Sequence, residues 1–162
     1  MALVPITISV DGEQAYARAF DLAAREADDL REPLRDVGAE LIGAISRQFA
    51  SEGASELGTR WQPLSPAYAA WKQANYPGRP MLVRTGEMRS AAVDARRALT
   101  ITPRRLTYTV DSDYAIHHHR GEGVPSRRFV VLSEGTQRNI DRVFASWLDG
   151  VFKGPLWAGA RR

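Results

Sequence analysis

The chain has 162 residues, of which 44% are hydrophobic and 25% are charged, and its formal net charge is +3. This composition is typical of a globular chain that can bury a core, and the length favours a single domain. Because cysteine is absent, disulfides, thiolate zinc sites and cysteine nucleophiles are excluded.

The N-terminal third is predicted to form one strand, two helices and a loop. Residues 3–10 alternate apolar and polar positions, as a half-buried strand does, and no charged leader precedes them, so we expect no signal peptide. Apolar residues at helical spacing predict a helix over residues 13–30, and Pro33 favours the first turn of a second helix. Residues 51–58 are small and polar and are predicted to form a loop. The apolar line of the second helix comprises Leu34, Val37, Leu41, Ile45 and Phe49.

The middle of the chain carries a clear helix-start signal at Ser65. Its hydroxyl can accept a hydrogen bond from the backbone, and the proline that follows suits the first helical position. Tyr68 and Trp71 lie three residues apart and therefore share one face of this helix. We expect the helix to end within residues 75–80, where asparagine, proline and glycine cluster, and a turn at residues 85–86 to precede another short helix.

The C-terminal half is predicted to contain a hairpin and the clearest helix of the chain. Residues 99–102 and 106–110 alternate on either side of Pro103, which predicts two adjacent strands, and residues 129–132 form a short apolar run typical of another strand. Helical spacing predicts a helix over residues 136–152. Its apolar stripe, which we expect to face the core, comprises Ile140, Val143, Phe144, Trp147, Leu148 and Val151.

These elements predict an α+β fold with long helices packed on a small, mostly antiparallel β-sheet. We expect one domain over residues 1–155 and a C-terminal tail over residues 156–162. No apolar run reaches the roughly 18 residues of a membrane-spanning helix, so none is expected. If Trp147 lies in the core, its truncation to alanine should cost roughly 3–5 kcal/mol.

The net charge conceals a split between two parts of the chain. Residues 1–56 contain 5 basic and 11 acidic residues, a balance of −6, whereas residues 57–162 contain 17 basic and 8 acidic residues, a balance of +9. A patchwork of solvated faces would explain the split. The alternative is a two-sided module whose acidic part meets the basic part of a neighbour, since complementary potentials steer encounter and fix register.

Two groups of spaced residues resemble the phage virion morphogenesis family, the tail-completion and neck proteins of tailed bacteriophages, which include protein G of Mu-like phages. The first group joins a turn, a helix start and a second turn, and the second lies downstream in the same order. The first comprises Gly58, Trp61, Pro63, Leu64, Ser65, Tyr68, Trp71 and Lys72, then Pro80, Leu82, Thr85, Gly86, Met88 and Ser90. The second comprises Tyr114, Ala115, His118 and Gly121, then Pro125, Arg127 and Phe129.

The resemblance implies a structural virion assembly protein and not an enzyme. Such a protein forms a ring at the head–tail junction, as a neck, stopper or tail-completion component, and joins head to tail around the DNA channel. Residues 1–155 would then be a head–tail connector-like domain. The implied partners are identical subunits and other phage neck, portal-side and tail proteins, without a cofactor or a membrane. The protein would assemble in the bacterial host cytoplasm and reside in the virion.

Three adjacent histidines, at 117–119, form the first candidate metal site. On a strand, neighbouring side chains point to opposite faces, so only His117 and His119 could share a metal, with Asp111 or Asp113 as distant partners. A closed zinc site usually takes four protein ligands, which disfavours this interpretation. The family resemblance instead places the histidines in a loop at the end of a strand, with His118 as its structural residue, and we expect no metal.

Basic pairs occur at residues 96–97, 104–105, 127–128 and 161–162. Arginine binds phosphate oxygens well, so these pairs support an alternative function as a nucleic-acid-associated protein that uses the basic C-terminal two-thirds. Carboxylates of a protein partner would explain them equally. No recognition motif for specific DNA readout occurs, so only non-specific DNA contact is expected.

Neither a nucleophile motif nor a triad spacing supports the third alternative, a small enzyme. We expect Trp61 in the core, whereas aromatic residues near the proline-rich loops suit an interface. Basic and aromatic side chains together give the predicted interface residues. They are Trp71, Tyr76, Arg104, Arg105, His118, Arg127, Arg128 and Trp157.

Overall fold

The computed structural model describes residues 24, 25 and 28–153. Ala24, Arg25 and Asp28 are helical, within the helix predicted over residues 13–30. The earlier part of that helix and the strand predicted over residues 3–10 lie outside the described residues. So does the predicted C-terminal tail, which includes Trp157.

The first long helix, α1, spans Arg31–Ala50, and Pro33 lies in its first turn as predicted. The proline ring fixes φ near its helical value, and its missing N–H costs nothing there. The helix ends at a turn in which Gly53 has a φ of 102°, a conformation that favours glycine. One side of α1 faces the interior through Leu34, Ala44, Ile45 and Phe49, which are buried.

A short helix, α2, spans Ala54–Leu57, inside the segment that was predicted to be a loop. The prediction is wrong because a tertiary contact fixes this turn. The side-chain oxygen of buried Gln48 accepts hydrogen bonds from Glu56 N at 2.9 Å and from Ser55 Oγ at 3.1 Å. A single helical turn is marginal by itself, so local sequence carries little signal for it.

The third helix, α3, spans Pro66–Asn75 and begins as predicted. Ser65 Oγ accepts a hydrogen bond from Tyr68 N at 3.4 Å, and the proline occupies the first helical position. The next helix, α4, spans Glu87–Val93 and follows the predicted turn. The short helix α5, Ala95–Ala98, begins at Asp94, whose side chain accepts a hydrogen bond from Arg96 N at 3.0 Å.

The predicted hairpin is present as strands β1, Leu99–Thr102, and β2, Arg105–Tyr108, which pair antiparallel. One face of the pair is half-buried and the other, which carries threonine and arginine, is exposed. The half-buried face packs on α1 at Gly38. A Cβ at position 38 would lie only 2.8 Å from Leu99 Cδ1, so the helix approaches the sheet closely because this residue has no side chain.

Two further helices complete the described chain: α6, Ala115–Arg120, and α7, Glu134–Lys153. The histidines lie on α6, so their predicted placement in a loop is wrong: the chain closes a helical turn that ends at Gly121, with a φ of 83°. The strand predicted over residues 129–132 is absent from the described residues. The backbone groups that flank this segment bond to side chains and not to a neighbouring strand. Arg128 O accepts a hydrogen bond from Trp61 Nε1, and Ser133 N donates one to the Glu56 carboxylate.

The helix predicted near the C-terminus is confirmed as α7, but its apolar stripe is less buried than predicted. Trp147 is half-buried, as are four other stripe residues, and Leu148 is exposed. The main contact of α7 with another helix or strand of the described chain is with α1. This contact leaves the stripe partly exposed.

An aromatic cluster of Phe49, Trp61 and Phe129 forms the centre of the core. The Phe49 ring lies 5.9 Å from the Trp61 ring, edge to face, and 5.3 Å from the Phe129 ring. Trp61 is only 4% exposed, which confirms its predicted place in the core. The hairpin, α2, α4 and α7 all contact α1, so the fold is α+β, as predicted.

Candidate functional site

Residues from both motif groups line one cavity of about 850 Å³. Three segments line it: residues 62–72 from the start of α3, residues 82–88 from the turn before α4, and residues 111–127 around α6. The segments are far apart in sequence, so side-chain contacts across the cavity must hold them together. Two buried cations, Arg127 and Lys72, make several of the contacts that fix this part of the chain.

Arg127 joins the third segment to the first. Its Nε donates a hydrogen bond to Gln62 O at 3.0 Å, and its Nη2 donates to Pro63 O at 3.2 Å. Its backbone N–H donates to His118 O at 2.7 Å, which fixes α6 beside it. The residue is only 4% exposed, and burial lowers the pKa of its guanidinium. The structure thus separates the predicted basic pair, since Arg128 is exposed.

Lys72 joins α3 to the turn that follows it. Its Nζ donates hydrogen bonds to Arg79 O at 2.9 Å and to Pro80 O. The residue is 6% exposed, and burial lowers the pKa of its ammonium group, whereas the carboxylate of Glu52 acts in the opposite direction. The same Glu52 accepts a hydrogen bond from Met81 N at 2.8 Å, which positions the start of the second segment.

Buried polar groups behind the cavity support it from α1 and α2. Trp61 Nε1 and Gln48 Nε2 both donate to Arg128 O, at 3.0 and 3.2 Å. The Glu56 carboxylate accepts hydrogen bonds from Ser133 N at 2.9 Å and from Thr136 Oγ1 at 2.8 Å. Burial alone would raise the pKa of Glu56, but these hydrogen bonds outweigh it and lower the pKa.

The three histidines take different positions on α6. His118 lines the cavity, and its Nδ1 is buried without a hydrogen-bond partner among the described residues, as is Nδ1 of His119. Burial lowers the pKa of both imidazoles, and the charge of Arg127 lowers that of His118 further. His117 Nδ1 lies 3.4 Å from Glu122 Oε2 at the surface. Two residues apart on a helix, His117 and His119 point away from each other. Within the part of the chain that the structure describes, no three metal-ligating side chains converge.

The predicted aromatic interface residues form an exposed stack on α3. Trp71 is 44% exposed, and its ring lies 5.4 Å from that of Tyr68 and 5.8 Å from that of half-buried Tyr76. The predicted basic residues of the hairpin turn differ from each other. Arg104 forms an ion pair with Asp28, whereas Arg105 has no ion pair within residues 28–153.

Sequence reasoning missed Lys72, Gln48 and Glu56 as site residues. Lys72 carried a usable signal, because it belongs to the spaced motif and follows an aromatic helix face. Gln48 and Glu56 carried none: a polar residue on a helix is usually exposed, and only the fold shows that these two are buried.

The profile of the phage virion morphogenesis family matches residues 11–149, most of the chain. Comparison with curated proteins and with solved structures gives no match. Among the described residues, no helix is both long and apolar enough to cross a membrane. The profile covers both motif groups, so the chain belongs to the phage virion morphogenesis family and has a role in the assembly of bacteriophage particles.

Proposed function

We propose that the protein is a structural component of the neck of a tailed phage, which forms a ring at the head–tail junction and joins head to tail around the DNA channel. Family membership supports assembly as its role. The charge split supports the ring: a head-to-tail contact uses two different patches on each copy and closes when the rotation per subunit divides a full turn. An acidic patch on one copy would meet a basic patch on the next.

The main support for this proposal is that several motif residues hold the backbone together through hydrogen bonds. Lys72 and Arg127 donate hydrogen bonds to backbone carbonyls, and Ser65 caps α3. These contacts fix the third segment to the first and α3 to the turn that follows it, which suits a subunit that must present surfaces to neighbours. The exposed stack of Tyr68 and Trp71 is one such surface, since aromatic residues are enriched at interface centres.

A second function, non-specific contact with DNA, is favoured by one observation. The side chains of Arg105 and Arg128 are exposed and make no hydrogen bond or ion pair with the rest of the described chain. A ring around a channel would hold such side chains near DNA in transit, and phosphate contacts of this kind weaken steeply with salt. Salt-dependent retention of the protein on DNA measures this contribution separately from assembly.

The position and symmetry of the protein in native particles test the proposed function. We expect a map of the virion to contain a closed ring of this chain at the head–tail junction. The assembled form must be measured in particles, because a neck subunit can remain monomeric until a partner ring is present. An isolated monomer or a two-fold dimer in the particle would refute the ring. A location away from the junction would refute the neck assignment.

A further inference from the structure

Two buried cations, Lys72 and Arg127, face the cavity. Lys72 and Arg127 are 6% and 4% exposed and both line it, yet neither forms an ion pair with a carboxylate of the described residues. Buried charges are normally paired, because an unpaired charge in a poorly solvated site loses its hydration without compensation. The Glu52 carboxylate acts on Lys72 from a longer distance, whereas Arg127 has no carboxylate of the described residues beside it.

The internal contacts of Arg127 leave part of its guanidinium unused. Nε and Nη2 donate to carbonyl oxygens, but Nη1 has no hydrogen bond within the described chain. Nη1 is also not among the fully enclosed polar atoms without a partner, so it is open to the cavity. Amide donors could satisfy the same carbonyls without a charge. The charge and the free Nη1 fit an oxygen ligand that enters from outside.

The charged residues that line the cavity differ in how far they are exposed to solvent. Its acidic lining residues are Glu87, Asp111 and Asp113, all exposed, and the Asp111 carboxylate lies 3.9 Å from the Arg97 guanidinium, which is also exposed. Arg84 is a further exposed cation at this level. The buried charged positions of the lining instead carry the two cations, Lys72 and Arg127. A single negative group that reaches Arg127 would meet a positive charge and the free Nη1 donor.

Apolar side chains surround the entrance to the buried cations. Tyr114 is 65% exposed, and Tyr68, Val124 and Leu82 line the same cavity. The volume of about 850 Å³ falls within the roughly 300–1,000 Å³ typical of ligand pockets. The cavity thus combines a cationic interior with an apolar and aromatic wall.

We propose that this cavity receives an acidic side chain, together with an adjacent apolar residue, from a peptide segment of another virion protein. That the partner is a virion protein follows from the proposed assembly role. The chemistry of the bound segment is inferred from the cavity alone. A peptide fits better than a nucleic acid, because the three exposed carboxylates would repel a run of phosphates. The same carboxylates can accept hydrogen bonds from peptide N–H groups.

A positional-scanning library of acetylated, amidated pentapeptides tests this inference on the full chain. We expect aspartate or glutamate to be selected at one position, with an apolar residue beside it. In the best peptide, replacing the acidic residue by its amide should weaken binding about tenfold, the loss of one charge-assisted contact. The Arg127 Nε–H signal in NMR should shift with the acidic peptide and not with the amide peptide.

Two variants and a matched control locate the binding site. Arg127→Gln should lose the preference for the acidic peptide, whereas Arg128→Gln, at the exposed neighbour, should keep it. If Arg127→Gln does not fold, two other variants replace it. Arg127→Lys retains the positive charge, and Tyr114→Ser changes only an exposed residue of the cavity wall. The lysine variant should keep an acidic preference, and Tyr114→Ser should weaken the apolar preference alone.

Three results would overturn the inference. The first is a library without acidic preference, and the second is tighter binding of oligo-dT than of the best peptide. The third is a shift of the Arg127 signal with protein concentration alone, which would assign the cavity to a second copy. If the chain forms neck rings but shows no preference for acidic peptides, the cavity proposal fails and the proposed function stands. If the chain binds acidic peptides but lies elsewhere in the particle, the neck assignment fails and the cavity proposal stands.

Discussion

At the scale of single residues, Gly53 controls how closely the turn after α1 approaches the core. Its φ is 102°, and a Cβ there would lie 2.6 Å from Trp61 Cδ1. We expect Gly53→Ala to lower the free energy of unfolding by about 2–4 kcal/mol, through the strained backbone and the displaced indole. Chemical denaturation monitored by tryptophan fluorescence measures this loss.

Gly58→Ala is the matched control for that substitution. Gly58 also has a positive φ, of 73°, but a Cβ added there would have nothing within 4 Å. Only the backbone strain should remain, about 1–2 kcal/mol. Equal losses in the two variants would show that the contact with Trp61 contributes nothing.

Glu56 makes the free energy of unfolding depend on pH. Its pKa in the folded chain is lower than its usual 4.5, so the folded state binds fewer protons than the unfolded state. The stabilisation by Glu56 is therefore present above pH 4.5 and is lost as the pH falls through the folded-state pKa. Glu56→Gln should cost about 1–3 kcal/mol at neutral pH, because one buried acceptor is weakened.

The difference between the wild type and Glu56→Gln should shrink as the pH falls below 4.5. Denaturation midpoints at a series of pH values measure it. Glu134→Gln is a suitable control, since its side chain is exposed at the start of α7, and it should change stability by less than about 0.5 kcal/mol. A difference that is constant with pH would contradict the role given to the Glu56 carboxylate.

Single residues also show where prediction from sequence ends. The core position of Trp61 was predictable, because tryptophan is usually buried. The burial of Lys72 and Arg127 was not, since these residue types are mostly exposed and only the convergence of distant segments encloses them.

At the scale of elements, α7 gives a direct measure of how far its stripe contributes to the core. Trp147 is half-buried, so we expect Trp147→Ala to cost about 1–3 kcal/mol rather than the 3–5 kcal/mol of a fully buried aromatic. Urea denaturation measures the cost. Leu148→Ala, at the exposed neighbour, should cost less than about 1 kcal/mol. A loss above roughly 3 kcal/mol for Trp147 would show that more of the chain covers it than the described residues do.

Repeated apolar spacing made the long helices and the hairpin predictable. Helices α1 and α7 and the hairpin were predicted because their apolar spacing repeats over several turns or pairs. Helices α2 and α6 were not, because each is about one turn long and depends on distant contacts, such as the Gln48 amide beside α2. The strand predicted over residues 129–132 is also absent because of distant contacts: side chains bond to the flanking backbone groups in place of a neighbouring strand.

At the scale of the whole molecule, the hairpin turn separates contacts within a subunit from contacts between subunits. Arg104 pairs with Asp28 of the same chain, whereas Arg105 is exposed without an ion pair in the described residues. On the proposed function, Arg105→Glu should reduce the yield of tailed particles. Thermal melting should change little, since exposed charges contribute less than about 1 kcal/mol.

Arg104→Glu provides the comparison, because it also removes the contact with Asp28 and places like charges together. Any melting difference should therefore be larger for Arg104→Glu than for Arg105→Glu. Particle counts by electron microscopy give the yield. A full yield of tailed particles from a variant that carries both substitutions would argue against an interface at this turn.

The contacts of Lys72 and Arg127 have a consequence for how this protein can diverge. Both side chains donate to carbonyl oxygens, which every residue possesses whatever its side chain. Positions such as Gln62 and Arg79 can therefore accept mutations freely while the contact persists, whereas positions 72 and 127 need a side chain that donates hydrogen bonds. Related chains should thus preserve a few scattered donor side chains while the sequence around them drifts, and overall identity would fall long before the shape changes.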